Sequence, residues 1–424
     1  MEPSLDRIRA FVELLGDPQQ NYPVIHLTGT NGKTSTARMI DTLLRALELR
    51  TGRFTSPHVE RMTERIGLDG EQLSDEEFVR AFNDVAPYIQ LVDADQPYPL
   101  SFFETVVAMA YAAFADAPVD VAVVEVGLGG TWDATNVADA AVAVVLPIAI
   151  DHAHLLGDDP VTIAGEKAGI IKPDSIAVIA QQQPDVEEVL RNRANDVGAR
   201  LLRENVDFGV INRTPAVGGQ LLSLQGLRAR YDDLFLPLYG AHQAQNAVMA
   251  LVAVEAFLGT EPLDGELVAA AFAAVTSPGR LEVVRRSPTI LLDAAHNPHG
   301  AEATAAALED SFQLDPLVGV IGVMGDKDFE GLLAAFEPHL AHVVITQNST
   351  ARALKAEQLA VTAREVFGED RVTVEPNLPD AIDRAVAIAE ENSSGSSVGA
   401  GAVLVTGSVV TVGEARRLLV KGPR

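Results

Sequence analysis

Short apolar runs alternate with helical patterns along the first part of the chain. The runs cover residues 24–27, 119–126 and 140–150, and each is rich in Val or Ile. Runs of this kind are typical of strands that a parallel sheet buries on both faces. Between the first two runs, apolar residues recur at steps of three and four over residues 39–47, which predicts an amphipathic helix. We therefore predict an α/β domain with a mostly parallel sheet.

The pattern changes in the middle of the chain. Residues 206–238 alternate between apolar and polar positions in short stretches, which indicates a small antiparallel sheet added to the first domain. A helical pattern follows from about His242, and Pro278 and Gly279 then interrupt the chain. Further strand-like runs alternate with helical patterns beyond this point, at residues 289–292, 317–323, 342–346 and 402–406. We therefore expect two domains, residues 1–277 and a Rossmann-like α/β domain at 278–424.

Composition and charge exclude several classes of protein. The chain has 424 residues, a formal net charge of −27 and no cysteine. The negative charge repels nucleic-acid phosphates and anionic membrane surfaces, so we expect no nucleic-acid or membrane partner. The lack of cysteine excludes disulfides, zinc-thiolate sites and a cysteine nucleophile. Because no stretch reads as a targeting segment or a membrane span, we expect a cytoplasmic location.

A glycine-bracketed lysine follows the first apolar run. Residues 28–36 read Thr-Gly-Thr-Asn-Gly-Lys-Thr-Ser-Thr and precede the predicted helix. Glycines at 29 and 32 let the backbone approach an anion, while the helix N-terminus and Lys33 attract it, which predicts a phosphate site for ATP. In the usual phosphate loop, a glycine stands five residues before the glycine of the Gly-Lys pair. In this chain the pair is Gly32-Lys33, and the position five residues earlier is Leu27. The loop is therefore a tighter variant.

Charged residues also stand at the ends of the other two runs. Glu125 lies near the end of the second run, and Asp151 and His152 follow the third. In an open α/β sheet, ligands bind beyond the carboxyl ends of the strands. We therefore expect these side chains to share one site with the phosphate loop.

Motifs along nearly the whole chain identify a family that this sequence resembles. They read T-G-T-N-G-K-T at 28–34, T-S-P-H at 55–58, E-R-I at 64–66, E-V-G-L-G-G-T-W-D-A-T-N at 125–136, D-H-A-H-L-L-G at 151–157, G-E-K-A-G-I-I at 165–171, H-Q-A-Q-N at 242–246, S-P-G-R-L-E at 277–282, D-A-A-H-N-P at 293–298 and G-D-K-D at 325–328. In order and spacing they resemble the folylpolyglutamate synthase and dihydrofolate synthase family, within the superfamily of Mur-type ATP-dependent amide ligases. Thr131 departs from the family, in which arginine is common at this position.

The resemblance implies a fold and a reaction. The first domain would be the ATP-binding, central-type domain of the Mur ligases, and the second the glutamate-ligase domain. ATP would phosphorylate a carboxylate of folate or dihydropteroate, and the amine of L-glutamate would displace phosphate from the acyl phosphate. We expect both carboxylates to be substrates, two Mg²⁺ ions to be needed, and the protein to act as a monomer.

The resemblance also implies roles for individual residues. Those implied to bind ATP are Gly29, Thr30, Asn31, Gly32, Lys33, Thr34, Ser35, Asn246, Arg280, Asp293 and His296. One Mg²⁺ would be held by Ser56 and Glu125, and a second by His152 and a carbamylated Lys167. The implied catalytic residues are Lys33, His152 and Lys167. Two alternatives stay open. His152 could have a structural role, and Lys167 could be an ordinary surface lysine beside Glu166.

Other assignments stay open at this point. The family places the folate near residues 56–65 and 101–104, where Phe102 or Phe103 would either stack on a ring or pack in the core. Lys327 and Asp328 match a family motif without an implied role. A peptidoglycan-type Mur ligase is a rival, but such enzymes carry a sugar-nucleotide domain before the ATPase domain, and 28 residues precede Gly29. A nucleotide-gated switch protein without ligase activity is a rival of another class.

Overall fold

The computed structural model describes residues 4–259, 261–393 and 400–420, and the first part of the chain forms a large sheet. Its strands are β1 Val24–Thr28, β2 Thr51–Phe54, β3 Ile66–Leu68, β4 Glu71–Gln72, β5 Val121–Glu125, β6 Ala140–Val145, β7 Ile176–Ile179 and β8 Arg200–Arg203. The helices around it are α1 Asp6–Leu14, α2 Lys33–Ala46, α3 Asp75–Asp95, α4 Phe102–Asp116, α5 Ala153–Leu156, α6 Pro160–Lys167 and α7 Pro184–Val197.

The large sheet is mostly parallel, as the sequence predicts. Its strand order is β4-β3-β2-β5-β1-β6-β7-β8, and the two pairings that involve β3 are antiparallel. Neighbours β5 and β6 flank β1, so the carboxyl ends of the three strands adjoin each other. All five residues of β1 and of β5 are buried, in keeping with their continuous apolar runs. The expected convergence of strand ends is therefore present.

One predicted strand is too long. The third apolar run was expected to form a strand over residues 140–150, whereas β6 ends at Val145. Pro147 lacks an N–H group and cannot continue the ladder. Instead, the N–H of Thr30 donates to the Pro147 carbonyl at 3.0 Å, and the Thr30 hydroxyl donates to the Ala149 carbonyl at 2.8 Å. The chain after β6 thus runs along the glycine loop rather than along a strand.

A small antiparallel sheet and two helices complete the first part. The sheet contains β9 Gly209–Ala216, β10 Gly219–Gln225 and β11 Arg230–Leu236, in the order β11-β10-β9. Helix α8 spans Ala241–Leu258, and α9 spans Gly265–Ala273. Helix α8 contacts both α2 and the small sheet, and its residues from 246 to 256 are all buried. It therefore joins the two sheets and places Asn246 beside the glycine loop.

The rest of the chain forms a second α/β unit. Its strands are β12 Glu282–Arg286, β13 Thr289–Leu292, β14 Leu314–Ile321, β15 His342–Ile345, β16 Val372–Val374 and β17 Ala400–Thr406, in the order β12-β13-β17-β14-β15-β16. Its helices are α10 Pro298–Ser311, α11 Phe329–Phe336, α12 Ala356–Phe367, α13 Leu378–Ser393 and α14 Val409–Leu419. Only the β12–β13 pairing is antiparallel among the described strands of this sheet. The α/β fold class is thus confirmed.

The predicted domain boundary falls in an irregular segment. Residues 274–281 connect α9 to β12, and the boundary drawn at 277/278 lies within them. The Ser277 hydroxyl contacts the Ser35 hydroxyl of α2 at 3.0 Å, so the connection is anchored beside the glycine loop. No helix in the described ranges combines the length and apolar character needed to cross a membrane.

Candidate active site

The glycine loop between β1 and α2 is shaped by two glycines that no other residue could replace without strain. Gly29 has φ +146° and Gly32 has φ +88°, both outside the usual range of L-residues. A Cβ on Gly29 would lie 2.6 Å from the Leu146 Cβ, and one on Gly32 would lie 2.5 Å from the Asn246 Oδ1. The backbone can therefore pass close to both neighbours, and the N-terminus of α2 opens onto a cavity.

Two lysines converge on this loop. Lys33 Nζ donates to the Gly29 carbonyl at 3.0 Å, and Lys167 Nζ donates to the same oxygen at 2.9 Å. Burial lowers the pKa of Lys33, and burial together with the nearby Lys33 charge lowers the pKa of Lys167 to about 7. Lys167 is 4% exposed, which excludes the alternative of a surface lysine. Burial therefore favours the uncharged, nucleophilic form of the Lys167 amine over the ammonium form.

Glu125, the last residue of β5, forms the acidic part of the site. Its carboxylate accepts hydrogen bonds from the Thr34 hydroxyl at 3.0 and 2.9 Å and from the Ser56 N–H at 3.2 Å. Burial raises the pKa of Glu125, although the Lys33 charge and these hydrogen bonds oppose the rise. A buried carboxylate beside two hydroxyl-bearing residues is a set of oxygen donors that Mg²⁺ prefers.

Asp151 links the first part of the chain to the second. It accepts from Lys327 Nζ at 2.7 Å and from Asn297 Nδ2 at 3.1 Å, and His296 Nε2 lies 3.5 Å away. Burial alone would raise the pKa of Asp151, but the His296 hydrogen bond and the Lys327 charge outweigh it and lower this pKa. Asn31 of the glycine loop also contacts Asn297, at 3.2 Å. The carboxylate is therefore the centre of a polar network between the two units.

His152 lies in the same network. Its Nε2 accepts from Lys327 Nζ at 3.1 Å, and burial lowers its pKa to about 4 against the opposing charge of Asp151. A neutral imidazole nitrogen can ligate a metal, but here it accepts a hydrogen bond from the lysine. Among the described residues, no group of three or more His, Cys, Asp or Glu is placed to hold a metal ion.

Residues from both units line the rest of the cavity. Asn246 Nδ2 donates to Gln243 Oε1 at 3.1 Å, which orients the amide of Asn246. Arg213 of β9 forms a two-pronged ion pair with Asp310 of α10, at 2.7 and 2.9 Å. Within the described residues, the Arg280 guanidinium has no hydrogen-bonded or ion-paired partner, and it faces the same space.

Asp293 lines the cavity but is already heavily hydrogen-bonded. Its carboxylate accepts from the backbone N–H groups of Leu281 and Ala295, each at 2.9 Å, and from the Thr304 hydroxyl at 2.8 Å. The residue is 5% exposed. Asp293 therefore fixes the start of the second unit as well as bordering the site.

These elements enclose a first cavity of about 620 Å³ and a second of about 560 Å³. Every residue predicted to bind nucleotide or metal, or to be catalytic, lines the first cavity. Ser56, His152 and His296 border both cavities, which therefore adjoin each other. The roles of the individual residues stay predictions, but the structure brings them to one place.

The second cavity is lined in part by the two segments expected near the folate, residues 56–65 and 101–104. Arg7 pairs with Glu104 at 3.1 Å, while the Nε of Arg65 donates to His58 Nδ1 at 3.0 Å. The remaining lining includes Ser4, Pro57, Ser101, Phe103, Gly127, Leu128, Trp132, Asp133, Ala134, Met324, Lys327, Arg352, Ser408, Val409 and Val410. Trp132 lies within the 125–136 motif but had no implied role, and Arg7 belongs to none of the motifs. The charge of Arg7 in an amphipathic N-terminal helix was the one available signal.

The two phenylalanines that were left open lie differently. Phe102 is 53% exposed, and the Arg65 guanidinium lies 5.3 Å from its ring centroid, so it is not a core residue. Phe103 is partly buried against Phe54, with ring centroids 5.9 Å apart, and also lines the second cavity. Both packing and ligand contact are therefore compatible with Phe103.

Two family descriptions match the chain. The Mur ligase middle domain matches residues 27–254, and the Mur ligase glutamate ligase domain matches residues 279–409. A Mycobacterium tuberculosis protein named dihydrofolate synthase/folylpolyglutamate synthase is 52% identical, over all of this chain and 91% of its own length. A Bacillus subtilis protein of the same name is 31% identical, over 99% of this chain and 95% of its own length.

Solved structures agree with these matches. The Mycobacterium tuberculosis folylpolyglutamate synthase complexed with ADP and AMPPCP has a TM-score of 0.96 and 53% identity, covering 100% of this chain and 96% of that one. Escherichia coli FolC in complex with DHPP and ADP has a TM-score of 0.85 and 30% identity, covering 99% and 93%. The resemblance therefore extends over both units of the chain.

Proposed function

The chain belongs to the Mur ligase family, among the dihydrofolate synthases/folylpolyglutamate synthases, and on this premise we propose that it joins L-glutamate to folate and dihydropteroate carboxylates with ATP. The junction of the two cavities at Ser56, His152 and His296 is the observation that carries the proposal. A nucleotide in the first cavity and a carboxylate in the second would meet there. Relatives with ADP and AMPPCP bound support ATP as the nucleotide.

The reaction needs two displacements. A carboxylate oxygen attacks the γ-phosphorus of ATP, the bond to the bridging oxygen breaks, and ADP leaves. The glutamate amine then attacks the acyl carbon, loses a proton, and expels inorganic phosphate as the amide forms. Because phosphoryl transfer needs positioning and charge neutralisation more than covalent help, Lys33 and the unpaired Arg280 suit the phosphates in the first cavity.

Magnesium would bind at the acidic part of the site. Thr34, Ser56 and Glu125 offer oxygen donors in one place, and the buried carboxylate lacks a directly paired cation among the described residues. These residues fit one Mg²⁺, which when bound would neutralise phosphate charge.

A second Mg²⁺ depends on chemistry at Lys167. As an ammonium group Lys167 cannot ligate a cation. Its neutral amine, however, adds to carbon dioxide and loses a proton, which yields an anionic carbamate with two oxygen donors. The pKa of about 7 favours this reaction near neutral pH. We therefore keep Lys167 and His152 as the proposed ligands of the second ion.

ADP production by the purified protein tests the function. The protein is incubated with ATP, Mg²⁺ and L-glutamate, together with dihydropteroate or tetrahydrofolate, and each component is omitted in turn. We expect ADP and the glutamylated product with both pterins and none without glutamate. Product from a single pterin would contradict the dual specificity, and ATP hydrolysis without glutamate or pterin would favour a switch protein instead.

The oligomeric state and the cellular location of the protein also stay predictions. Light scattering is expected to give the mass of a single chain, 45.0 kDa. A cytoplasmic location is expected from the sequence, and cell fractionation would test it.

A further inference from the structure

Helix α14 of the second unit has a glycine in its interior that contacts the first unit. Gly413 is buried, and glycine is a poor helix former, so its position in this helix calls for a packing reason. A Cβ at this residue would lie 1.8 Å from the carbonyl oxygen of Val59. That distance is far below any van der Waals contact. The backbones of α14 and of Val59 can therefore approach this closely only because residue 413 has no side chain.

A charged contact lies one helical turn further along the same helix. Arg416 donates to Glu60 of the first unit at 2.6 Å and to Glu282 of β12 at 3.1 and 3.0 Å. The side chains of Arg416 and Glu60 are 23% and 20% exposed, so the pair is partly shielded from water. Helix α14 thus holds two successive residues, Val59 and Glu60, by packing and by charge.

The held residues belong to the segment between β2 and β3, which we name the 55–65 loop. Glu64 makes this loop stiff, because its carboxylate accepts the N–H groups of Val59, Glu60 and Arg61 at 2.8 to 2.9 Å. The beginning of the loop carries Ser56, whose N–H donates to Glu125 at 3.2 Å. Its end carries Arg65 in the second cavity. A displacement at Val59 would therefore move groups in both cavities.

We propose that Gly413 and Arg416 are positioning residues for the ligation reaction, a role that rests on the proposed function. Neither residue lines either cavity. By holding Val59 and Glu60, they keep Ser56 against Glu125 and Arg65 at the wall of the second cavity while the two units are together. Catalysis is sensitive to such placement, since a displacement of about 1 Å far from the chemistry can cost about a hundredfold in rate.

The substitution Gly413→Ala tests the role directly. We expect kcat/KM for dihydropteroate to fall about tenfold or more, because the added methyl group must push the loop away from α14. ADP affinity should change much less, since neither Gly413 nor Arg416 lines the first cavity. Hydrogen exchange of the amides of Ser56, Val59, Glu60 and Arg61 should become faster, and this second readout does not require turnover.

Matched variants distinguish a positioning role from a nonspecific loss of structure. Gly265→Ala adds a methyl group at the start of α9, where nothing lies within 4 Å, and should leave both readouts unchanged. Glu60→Gln keeps the side-chain shape but removes the ion pair with Arg416, so it should act in the same direction as Gly413→Ala with a smaller effect. Arg203→Gln removes an ion pair to Glu187 within the first unit and should leave loop exchange unchanged.

The outcomes distinguish this proposal from the proposed function. Suppose that the wild-type protein ligates glutamate and that a folded Gly413→Ala variant matches it in kcat/KM and in loop exchange. This result would overturn the positioning role and leave the proposed function intact. An equal loss of ADP affinity and folate turnover would also overturn it, because that result means general separation of the units. Should Gly413→Ala fail to fold, normal exchange and turnover in Glu60→Gln would overturn it. Inactive wild-type protein would contradict the proposed function, while loop exchange would still test the contact.

Discussion

The two adjoining cavities are built by different means. Around the first, the backbone of residues 29–32 and short charged groups at strand ends form the wall, and two glycines fix the backbone shape. Around the second, long side chains such as Arg7 and Arg65 form much of the wall. Arg7 is held by Glu104, and Arg65 by His58 and the Phe102 ring. The first cavity is therefore shaped by the fold itself, whereas the second depends on side-chain contacts that single substitutions remove.

The loss of Lys33 should have the largest effect, and this effect should be limited to the first cavity. For Lys33→Ala we expect ligation to fall by about 10²–10³-fold, because one preorganised charge on the phosphoryl group is lost. Binding of dihydropteroate in the second cavity should persist, as measured by fluorescence of Trp132, the single tryptophan of the chain. Lys355→Ala, at an exposed position before α12, is the control and should be fully active. Loss of dihydropteroate binding in Lys33→Ala would show that the cavities are not independent.

Lys167 lines the first cavity, and we expect the formation of its carbamate to depend on pH. Because burial lowers its pKa to about 7, the amine is mostly protonated about one unit below that pH and mostly neutral about one unit above it. With ¹³C-bicarbonate, we expect a carbamate signal in ¹³C NMR that grows as pH rises through this range. Lys167→Arg should lack the signal and lose about a hundredfold in kcat, since a guanidinium stays protonated.

Full activity without a carbamate signal would contradict the carbamate hypothesis. A wild-type spectrum without the signal at high pH, in a protein that is fully active, would mean that Lys167 acts as an amine. Lys33→Ala is a useful comparison in the same NMR experiment, because it removes the neighbouring cation but leaves Lys167 in place.

Arg65 should affect the second cavity alone, and more weakly. For Arg65→Ala we expect the KM for dihydropteroate to rise about tenfold, the usual size of one lost charge-assisted hydrogen bond. The affinity for ADP should not change. Arg61→Ala, in the same loop, removes an exposed ion pair to Asp75 and is the matched control. An equal rise in KM for both variants would indicate that the loop, rather than the Arg65 side chain, is responsible.

The Arg213–Asp310 pair should have the smallest effect. The pair links the two units at the wall of the first cavity, and both side chains are partly exposed. For Asp310→Asn we expect ADP to dissociate about two- to threefold faster, as a partly exposed ion pair contributes little. The exchange of charges, Arg213→Asp with Asp310→Arg, should restore the rate in a stopped-flow measurement. No restoration would mean that the ion pair does not slow the release of ADP.

The two cavities also differ in how far the sequence predicts them. Gly29, Lys33 and Glu125 could be placed together because buried strands and their loops have fixed directions, and parallel strand ends meet at one edge. Lys167 and Arg280 needed the family resemblance as well. Asp151 was expected at this edge as a strand-end residue, but its contacts with the second unit could not be predicted, because its partners Lys327 and Asn297 lie far along the chain.

Other features could not be predicted because they depend on tertiary contacts. Arg7 and Trp132 reach the second cavity from separate elements without a shared spacing. The end of β6 was missed because an apolar run does not record where its hydrogen bonds stop, although Pro147 was a signal. Gly413 looks like a weak helix position until the carbonyl of Val59 is seen beside it.

The transfer of oxygen from carboxylate to phosphate tests the central claim most directly. Dihydropteroate labelled with ¹⁸O in both carboxylate oxygens is ligated to L-glutamate with unlabelled ATP, and the released phosphate is analysed by mass spectrometry. Because one carboxylate oxygen attacks the γ-phosphorus in the first cavity, we predict one ¹⁸O atom in each phosphate and one in the amide product. Unlabelled phosphate accompanying labelled product would contradict the acyl phosphate and the meeting of the two cavities on which it depends.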